Sequence, residues 1–94
     1  MLGDKTISFP VVFGKVLRRL RKEAGLSQES LGFDADLQRN YISLMELGRY
    51  QPTIESVFKL ANALKLPPAV LVAYVEAELS NARGSTTSSN AKNW

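Results

Sequence analysis

Residues 26–48, LSQESLGFDADLQRNYISLMELG, constrain the fold more than any other stretch of this chain. Their pattern predicts two short helices joined by a tight turn. The first helix begins after Ser27, whose hydroxyl can accept hydrogen bonds from the free N–H groups of an opening turn, and it ends near Ala35. The second begins near Gln38 and ends at Gly48, a residue that adopts the left-handed conformation past a helix end at little cost. In the turn between them, Asp36 is the residue best suited to a positive φ.

The second predicted helix has two different sides. Ile42, Met45 and Glu46 lie at the three- and four-residue spacing of one helical face, so we expect them to point inward. The outward side chains are those of Arg39, Asn40, Ser43 and Leu44. A short helix that exposes hydrogen-bonding groups of defined reach indicates a reader of base edges.

Another helix is predicted before this pair, over residues 9–24. Its apolar stripe consists of Phe13, Val16, Leu17, Leu20 and Ala24, and its opposite side carries Lys15, Arg18, Arg19 and Lys22. Within residues 15–22, five of the eight residues are basic and none is acidic. Such a run is either a solvated helix face or a contact with the phosphate backbone of nucleic acid. Arg21 lies at the edge of the apolar stripe, where we expect its guanidinium to be only partly solvated.

Two more helices are predicted after Gly48. Thr53 is the expected cap of the first, and the expected buried stripe of that helix is Ile54, Val57, Phe58, Ala61 and Leu64. Pro67 and Pro68 begin the last helix, which continues to about Leu79 and is apolar nearly all round. A terminal helix on a monomer needs only one apolar face, so the surplus indicates a second copy of the chain as its partner. The alternative is a helix wedged deep into its own core. The candidate dimerisation residues are Val70, Leu71, Tyr74 and Val75.

Composition narrows the fold and the function. The chain has 94 residues, of which 45% are hydrophobic, enough for one modest core. Leu, Ala, Glu, Lys and Arg are frequent and alternating β-branched runs are absent, which predicts an all-α domain over residues 9–79. We expect residues 1–8 to form a flexible arm and the polar residues 80–94 a disordered tail. The net charge of +3 is compatible with a nucleic-acid partner.

Several classes of function are disfavoured by what the chain lacks. Without Cys or His, the common zinc sites and the usual nucleophile–base pairs cannot be built, so an enzyme is the least favoured class and no cofactor is expected. No apolar stretch approaches the roughly 20 residues of a membrane span, and the opening MLGDKTIS lacks the pattern of a secretory signal. We therefore expect a cytoplasmic protein with no membrane partner.

From about residue 13 to residue 71 the chain resembles a known family. The segments that carry the resemblance are LRRLRKEAGLSQESL and YISLMELGRYQPTIESVFKLANAL. They are similar to the helix-turn-helix domain of Cro- and C1-type phage repressors and of the bacterial regulators named after the xenobiotic-response-element repressor. The resemblance implies a compact five-helix, lambda-repressor-like domain whose third helix lies in the major groove of double-stranded DNA. It also implies a homodimer on half-sites roughly 34 Å apart.

The resemblance assigns roles to individual residues. The expected base readers are Gln38, Arg39, Asn40, Ser43 and Leu44, although Leu44 could equally pack under a neighbouring tyrosine. The expected phosphate contacts are Gln28, Arg18, Arg19, Tyr41, Arg49 and Tyr50; for Gln28 the alternative is to buttress the third helix. Arg21 and Glu46 match a partly buried ion pair that sets the angle of that helix.

Two departures from the family pattern have predicted consequences. Gln38 stands where the family usually has a Ser or Thr cap, which leaves its side chain more available for DNA. Gly32 stands where the family usually has Ala, which predicts a second helix loosened by about 0.5–1 kcal/mol.

The favoured function is a small homodimeric transcriptional regulator, of the type that controls restriction–modification genes. It would have no small-molecule ligand. The alternative is a protein-interaction module, such as an antitoxin or an anti-repressor, for which the apolar last helix is the only support.

Overall fold

The computed structural model of the protein describes residues 8–82. It has five helices: α1 (Phe9–Glu23), α2 (Gln28–Ala35), α3 (Arg39–Glu46), α4 (Ile54–Ala63) and α5 (Pro68–Ala82). These residues contain no strand, which confirms the predicted all-α class. Residues 80–82 belong to α5 rather than to a tail. The rest of the expected arm and tail, residues 1–7 and 83–94, lies outside the described residues.

Hydroxyl side chains begin α2 and α4, as predicted. Ser27 Oγ accepts a hydrogen bond from the Ser30 N–H at 2.9 Å, and Thr53 Oγ1 accepts one from the Ser56 N–H at 3.0 Å. Each bond satisfies a backbone donor that the first helical turn leaves without a partner. The start of each helix is thus encoded in its immediate sequence.

Left-handed residues follow four of the helices, and after α1 this residue is Gly25, with a φ of 75°. Asp36 follows α2 with a φ of 58°, and Gly48 follows α3 with a φ of 77°. Both positions were predicted from residue type. Lys65, which follows α4 with a φ of 61°, was not.

The helices enclose one apolar core. α1 packs against α3 and α5, α2 packs against α3 and α4, and α4 packs against α5. The core consists of Val12, Phe13, Val16, Leu17, Leu20, Leu31, Ala35, Ile42, Met45, Val57, Leu60, Ala61, Leu64, Leu71 and Val75. Across residues 8–82, no single helix is both long enough and apolar enough to cross a membrane. α4 and α5 meet that test only when joined, and the chain bends by 105° between them.

The buried faces of α1 and α4 differ from prediction at three positions. Ala24 is exposed because it lies just past the end of α1. On α4, Ile54 is 71% exposed and Phe58 is 55% exposed, while Ser56 is buried. Successive helical residues are about 100° apart, so a face that includes Ser56 and Leu60 turns Phe58 outward. The spacing of the apolar residues predicted a buried stripe but not which side of the helix faces the core.

The last helix buries part of the stripe that was expected to form a dimer contact. Leu71 is fully buried and Val75 is 4% exposed, both inside the core of the same chain. Because α1 and α4 cover this side of α5, little of either side chain is left for a second copy, and their assignment to dimerisation stays a prediction. Val70 and Tyr74 remain 37% and 40% exposed.

Candidate nucleic-acid interface

One side of α3 presents a compact polar surface. Arg39 and Asn40 are exposed on its first turn, and Ser43 is half-buried on the next. Gln38 precedes the helix at the N-cap position, is exposed, and makes no capping hydrogen bond. Leu44 is half-buried at the margin of the same surface. The residues predicted to read bases thus lie together on two turns of one helix.

A buried ion pair fixes α3 against α1. Arg21 Nε lies 2.6 Å from Glu46 Oε2 and Arg21 Nη2 lies 3.0 Å from Glu46 Oε1, an arrangement that is bidentate. Arg21 Nη1 also donates to the carbonyl of Leu26 at 2.9 Å. The two side chains are only 11% and 4% exposed. Charge-assisted bonds shielded from water are among the strongest in proteins, so this pair holds the angle between the two helices.

The environment of Arg21 keeps it charged. The hydrogen bonds that Arg21 donates to Glu46 raise the pKa of its guanidinium, burial lowers it, and the negative charge of Glu46 raises it again, with a net increase. An arginine pKa already lies above the physiological range. The guanidinium of Arg21 therefore stays charged throughout the physiological range.

Gln28 joins this pair and brings in a third helix. Its Nε2 donates to Glu46 Oε1 at 3.0 Å from the first residue of α2. Of the two roles considered for Gln28, the structure provides the buttress, since its amide donor is bonded to α3. The start of α2, the last turn of α1 and the end of α3 are thereby tied through a single carboxylate.

Glycine permits the close approach of α1 and α3. A Cβ atom on Gly14 would lie 2.3 Å from the carbonyl oxygen of Met45 and 2.8 Å from that of Glu46. Real Cβ atoms are not found so close to a backbone carbonyl, and the helices would have to separate to admit one. Gly14 therefore sets the spacing of the same helix pair whose angle the ion pair fixes.

A second close approach reverses the expectation for Gly32. A Cβ at this position would lie 2.6 Å from the carbonyl oxygen of Leu37, in the turn between α2 and α3. The expectation that this glycine simply loosens α2 is therefore wrong. Its missing side chain lets the turn fold back against α2 and start α3 close beneath it.

The basic side chains of α1 divide between two sides of the helix. Arg19 lies against α5: its guanidinium is 5.6 Å from the ring centre of Tyr74, and its Nη1 is 3.9 Å from a carboxylate oxygen of Glu78. These contacts do not support the predicted contact of Arg19 with phosphate, which stays a prediction. Arg18 is exposed, and it lies one turn from both Gly14 and Arg21, on the side of α1 that faces α3. It makes no ion pair within residues 8–82.

The loop after α3 adds two exposed side chains beside the polar surface. Arg49 is exposed, and its backbone N–H donates to the carbonyl of Leu44 at 2.9 Å. Tyr50 is 53% exposed and packs edge-on against Tyr41, with ring centres 5.9 Å apart. Tyr41 is half-buried, and its hydroxyl lies 3.2 Å from that of Ser56 on α4. The tyrosine thus bridges α3, the loop and α4.

Sequence reasoning missed one outward residue at the end of α3. Leu47 is 63% exposed, and it follows Asn40 by seven residues and Ser43 by four. At that spacing it lies on the same side of the helix. Extending the outward stripe by one more turn would have found it.

Within residues 8–82, no cluster of acidic side chains could hold a metal ion.

The comparisons with known proteins agree with this geometry. A family model described as "Helix-turn-helix" matches residues 17–71, more than half of the chain. The chain belongs to the Cro/C1-type helix-turn-helix family. It is also similar to the control protein C.BamHI of Bacillus amyloliquefaciens, with 34% identity over 68 residues that cover 71% of this chain and 84% of the relative.

Two solved structures support the same assignment. The restriction-modification controller protein C.AhdI of Aeromonas hydrophila has 42% sequence identity and a TM-score of 0.64, and the match covers 66% of this chain and 94% of that one. The controller protein C.Esp1396I, solved as a tetramer in complex with its natural 35 base-pair operator, has 27% identity and a TM-score of 0.70 over 76% of this chain and 93% of that one. The predicted family and five-helix fold are confirmed. The members of this family are DNA-binding transcriptional regulators.

Proposed function

We propose that the protein is a transcriptional regulator that binds a two-fold symmetric DNA operator as a homodimer. The observation that carries the proposal is the exposed polar side of α3, held at a fixed angle by the buried Arg21–Glu46 pair. The guanidinium of Arg39 can donate two hydrogen bonds to O6 and N7 of guanine, and the amide of Asn40 can pair with N6 and N7 of adenine. Each such contact discriminates between bases by about 1–3 kcal/mol.

The phosphate contacts lie around this surface. The proposed contacts include Arg18 on α1 and Arg49 in the loop after α3, both of which are exposed cations. Contacts of this kind position the protein without reading sequence, and their strength falls as salt rises. Tyr50 and the half-buried Tyr41 add hydroxyl groups at the same edge. The proposed set does not include Arg19.

The dimer contact proposed here lies on the face shared by α4 and α5. Ile54, Phe58 and Val72 are 71%, 55% and 49% exposed, and Val72 lines an apolar groove between α1, α4 and α5. Large apolar side chains that stay exposed on two packed helices favour a protein–protein contact. Two copies joined here would carry two α3 helices, as a symmetric operator requires. Val70 points to a different side, since residues two apart on a helix are about 200° apart.

The controller role is supported by the relatives. C.BamHI is a control protein, and C.AhdI and C.Esp1396I are restriction-modification controllers. C.Esp1396I was solved as a tetramer in complex with its operator. By analogy, this chain would act on the expression of restriction and modification genes near its own.

A second candidate function is a protein-interaction module that acts mainly by covering a partner protein. The exposed apolar face of α4 and α5 is the observation that favours it. Sedimentation of the purified protein separates the two possibilities. A stable dimer that hides this face supports the regulator, whereas a monomer that binds DNA only weakly supports the module.

The proposed function is tested by selecting duplexes from a random-sequence library with the purified protein. We expect enrichment of a two-fold symmetric motif whose half-sites are centred roughly 34 Å apart. Affinity for the selected duplex should fall as salt rises and should exceed affinity for random duplex. Failure to enrich any motif would rule out sequence-specific regulation by this chain.

A further inference from the structure

Ser56 is a buried polar residue that makes three hydrogen bonds to two neighbouring residues. Its side chain on α4 is almost entirely enclosed, with 6% of the residue exposed. Its N–H donates to Thr53 Oγ1 at 3.0 Å, and the Thr53 hydroxyl donates to Ser56 Oγ at 3.0 Å. Ser56 Oγ also lies 3.2 Å from the hydroxyl of Tyr41. Three hydroxyl groups thus form a chain from the cap of α4 to the side of α3.

The number of protons fixes the direction of this chain. Each hydroxyl has one proton to donate. The Thr53 hydroxyl donates its hydrogen bond to Ser56 Oγ. Ser56 therefore still has its own proton to donate, and a buried hydroxyl proton needs an acceptor. The geometry of the Tyr41–Ser56 contact allows either hydroxyl to donate, and the proton count assigns the donation to Ser56, with the oxygen of Tyr41 as the acceptor. The opposite order, with Tyr41 donating to Ser56, would leave the proton of Ser56 buried without a partner.

This order leaves the proton of Tyr41 free. Tyr41 directly follows Asn40 on the reading helix, and its ring is held edge-on against Tyr50, beside the exposed loop of Arg49. A phosphate oxygen can only accept hydrogen bonds, so it pairs with a hydroxyl that donates. Hydrogen bonds in a chain also polarise one another, which strengthens the last donor.

We propose that Ser56 is a positioning residue that makes Tyr41 a hydrogen-bond donor to a DNA phosphate. The proposal rests on the proposed function, because it assumes that α3 lies against DNA. Ser56 does not touch DNA itself. It donates a hydrogen bond to the oxygen of the Tyr41 hydroxyl, so that the proton of this hydroxyl remains available for the phosphate.

The start of α2 provides a matched control. There the Ser27 hydroxyl donates to Ser30 Oγ at 3.0 Å and the Ser30 N–H donates to Ser27 Oγ at 2.9 Å. This pair repeats the Thr53–Ser56 arrangement, but Ser30 is exposed and is bonded to no third hydroxyl within residues 8–82. Ser30→Ala therefore removes the same kind of hydroxyl at the same helical position without disturbing a tyrosine.

The experiment measures the affinity of four variants for a duplex that the wild-type protein has selected from a random library. The variants are Tyr41→Phe, Ser56→Ala, their double mutant and Ser30→Ala, each with its thermal unfolding recorded in parallel. Loss of a hydrogen bond to a charged phosphate should weaken binding about tenfold in Tyr41→Phe. Ser56→Ala should weaken it less, because Tyr41 keeps its proton but loses its orientation. The double mutant should bind like Tyr41→Phe, and Ser30→Ala should bind like the wild type.

Two results would overturn the inference. One is an unchanged affinity in Tyr41→Phe, which keeps the ring and so tests the donor even if Ser56→Ala fails to fold. The other is a double mutant in which the two losses simply multiply, which would mean that Ser56 does not act through Tyr41. Both results require a wild-type protein that binds its selected duplex. If the wild type selects no duplex, the proposed function itself has failed.

Discussion

At the scale of single residues, the sequence was informative wherever the cause was local. The roles predicted from residue type are those observed for Ser27, Thr53, Asp36 and Gly48. A cap or a left-handed turn depends only on the nearest few residues. Gly32 was misjudged because the backbone it meets belongs to the turn beyond α2. Contacts of that kind arise only when the chain folds back.

The base-reading assignment makes its prediction at this scale. Replacing Arg39 with Ala should remove a bidentate contact with guanine and cost about 1–3 kcal/mol of discrimination at one position in each half-site. Binding to duplexes changed at that position would then no longer differ from binding to the selected sequence. Competition binding with single-base variants of the selected duplex measures this.

Arg19→Ala is the matched control for that experiment. It removes the same charge from a side chain that lies against Tyr74 and Glu78 on α5. We expect it to leave base preference unchanged. An equal loss of base preference in both variants would mean that Arg39 contributes only charge.

The buried ion pair carries a prediction about stability and binding together. Glu46→Ala would leave Arg21 charged and without its partner, and breaking a buried pair in this way costs about 3–5 kcal/mol. A double replacement, Arg21→Met with Glu46→Leu, should recover much of that loss, because no charge is left buried. It should still bind DNA poorly, since α3 would lose the contacts that set its angle. Chemical unfolding and operator binding separate these effects, and full recovery of binding would contradict the positioning role.

At the scale of helices, periodicity identified the elements but not always the side they bury. The bounds of the five helices follow from caps, prolines and apolar spacing. On α4, Ile54 and Phe58 fit an inward stripe equally well by spacing, yet they are exposed, while Ser56 is buried and pairs with Tyr41. A buried polar residue that pairs across helices leaves no apolar signal in the sequence.

The crossing of α1 and α3 makes a prediction of opposite sign to helix propensity. Alanine is usually favoured over glycine inside a helix by up to about 1 kcal/mol. At Gly14 the added Cβ would meet two carbonyl oxygens of α3, so Gly14→Ala should instead destabilise the protein by about 1–3 kcal/mol. Urea unfolding measures the difference. An increase in stability would show that the two helices can separate freely.

At the scale of the whole molecule, we propose that one chain supplies half of a symmetric reader. The composition and the resemblance to Cro/C1-type regulators indicated this from the sequence, and the family is confirmed. The face proposed to join two copies could not be predicted from the sequence. The last helix is apolar nearly all round, and only the packing of the helices shows which of its residues are buried in the core. Leu71 and Val75 are buried in the core, whereas Ile54, Phe58 and Val72 are exposed.

The dimer face gives a prediction that distinguishes two surfaces. Phe58→Glu places a charge in the proposed contact and should convert a dimer into a monomer in light scattering. Because Phe58 is 55% exposed, the folded monomer should be little affected. Val70→Glu, on another side of α5, should remain a dimer. A monomer in Val70→Glu together with a dimer in Phe58→Glu would move the contact to the other face.

The central claim is that α3 reads DNA from two symmetric copies of this domain. Hydroxyl-radical footprinting of the wild-type protein on its selected duplex tests it most directly. We predict two protected regions related by a two-fold axis, on one face of the duplex and centred roughly 34 Å apart. A single unpaired region of protection, or uniform protection without position, would contradict the account.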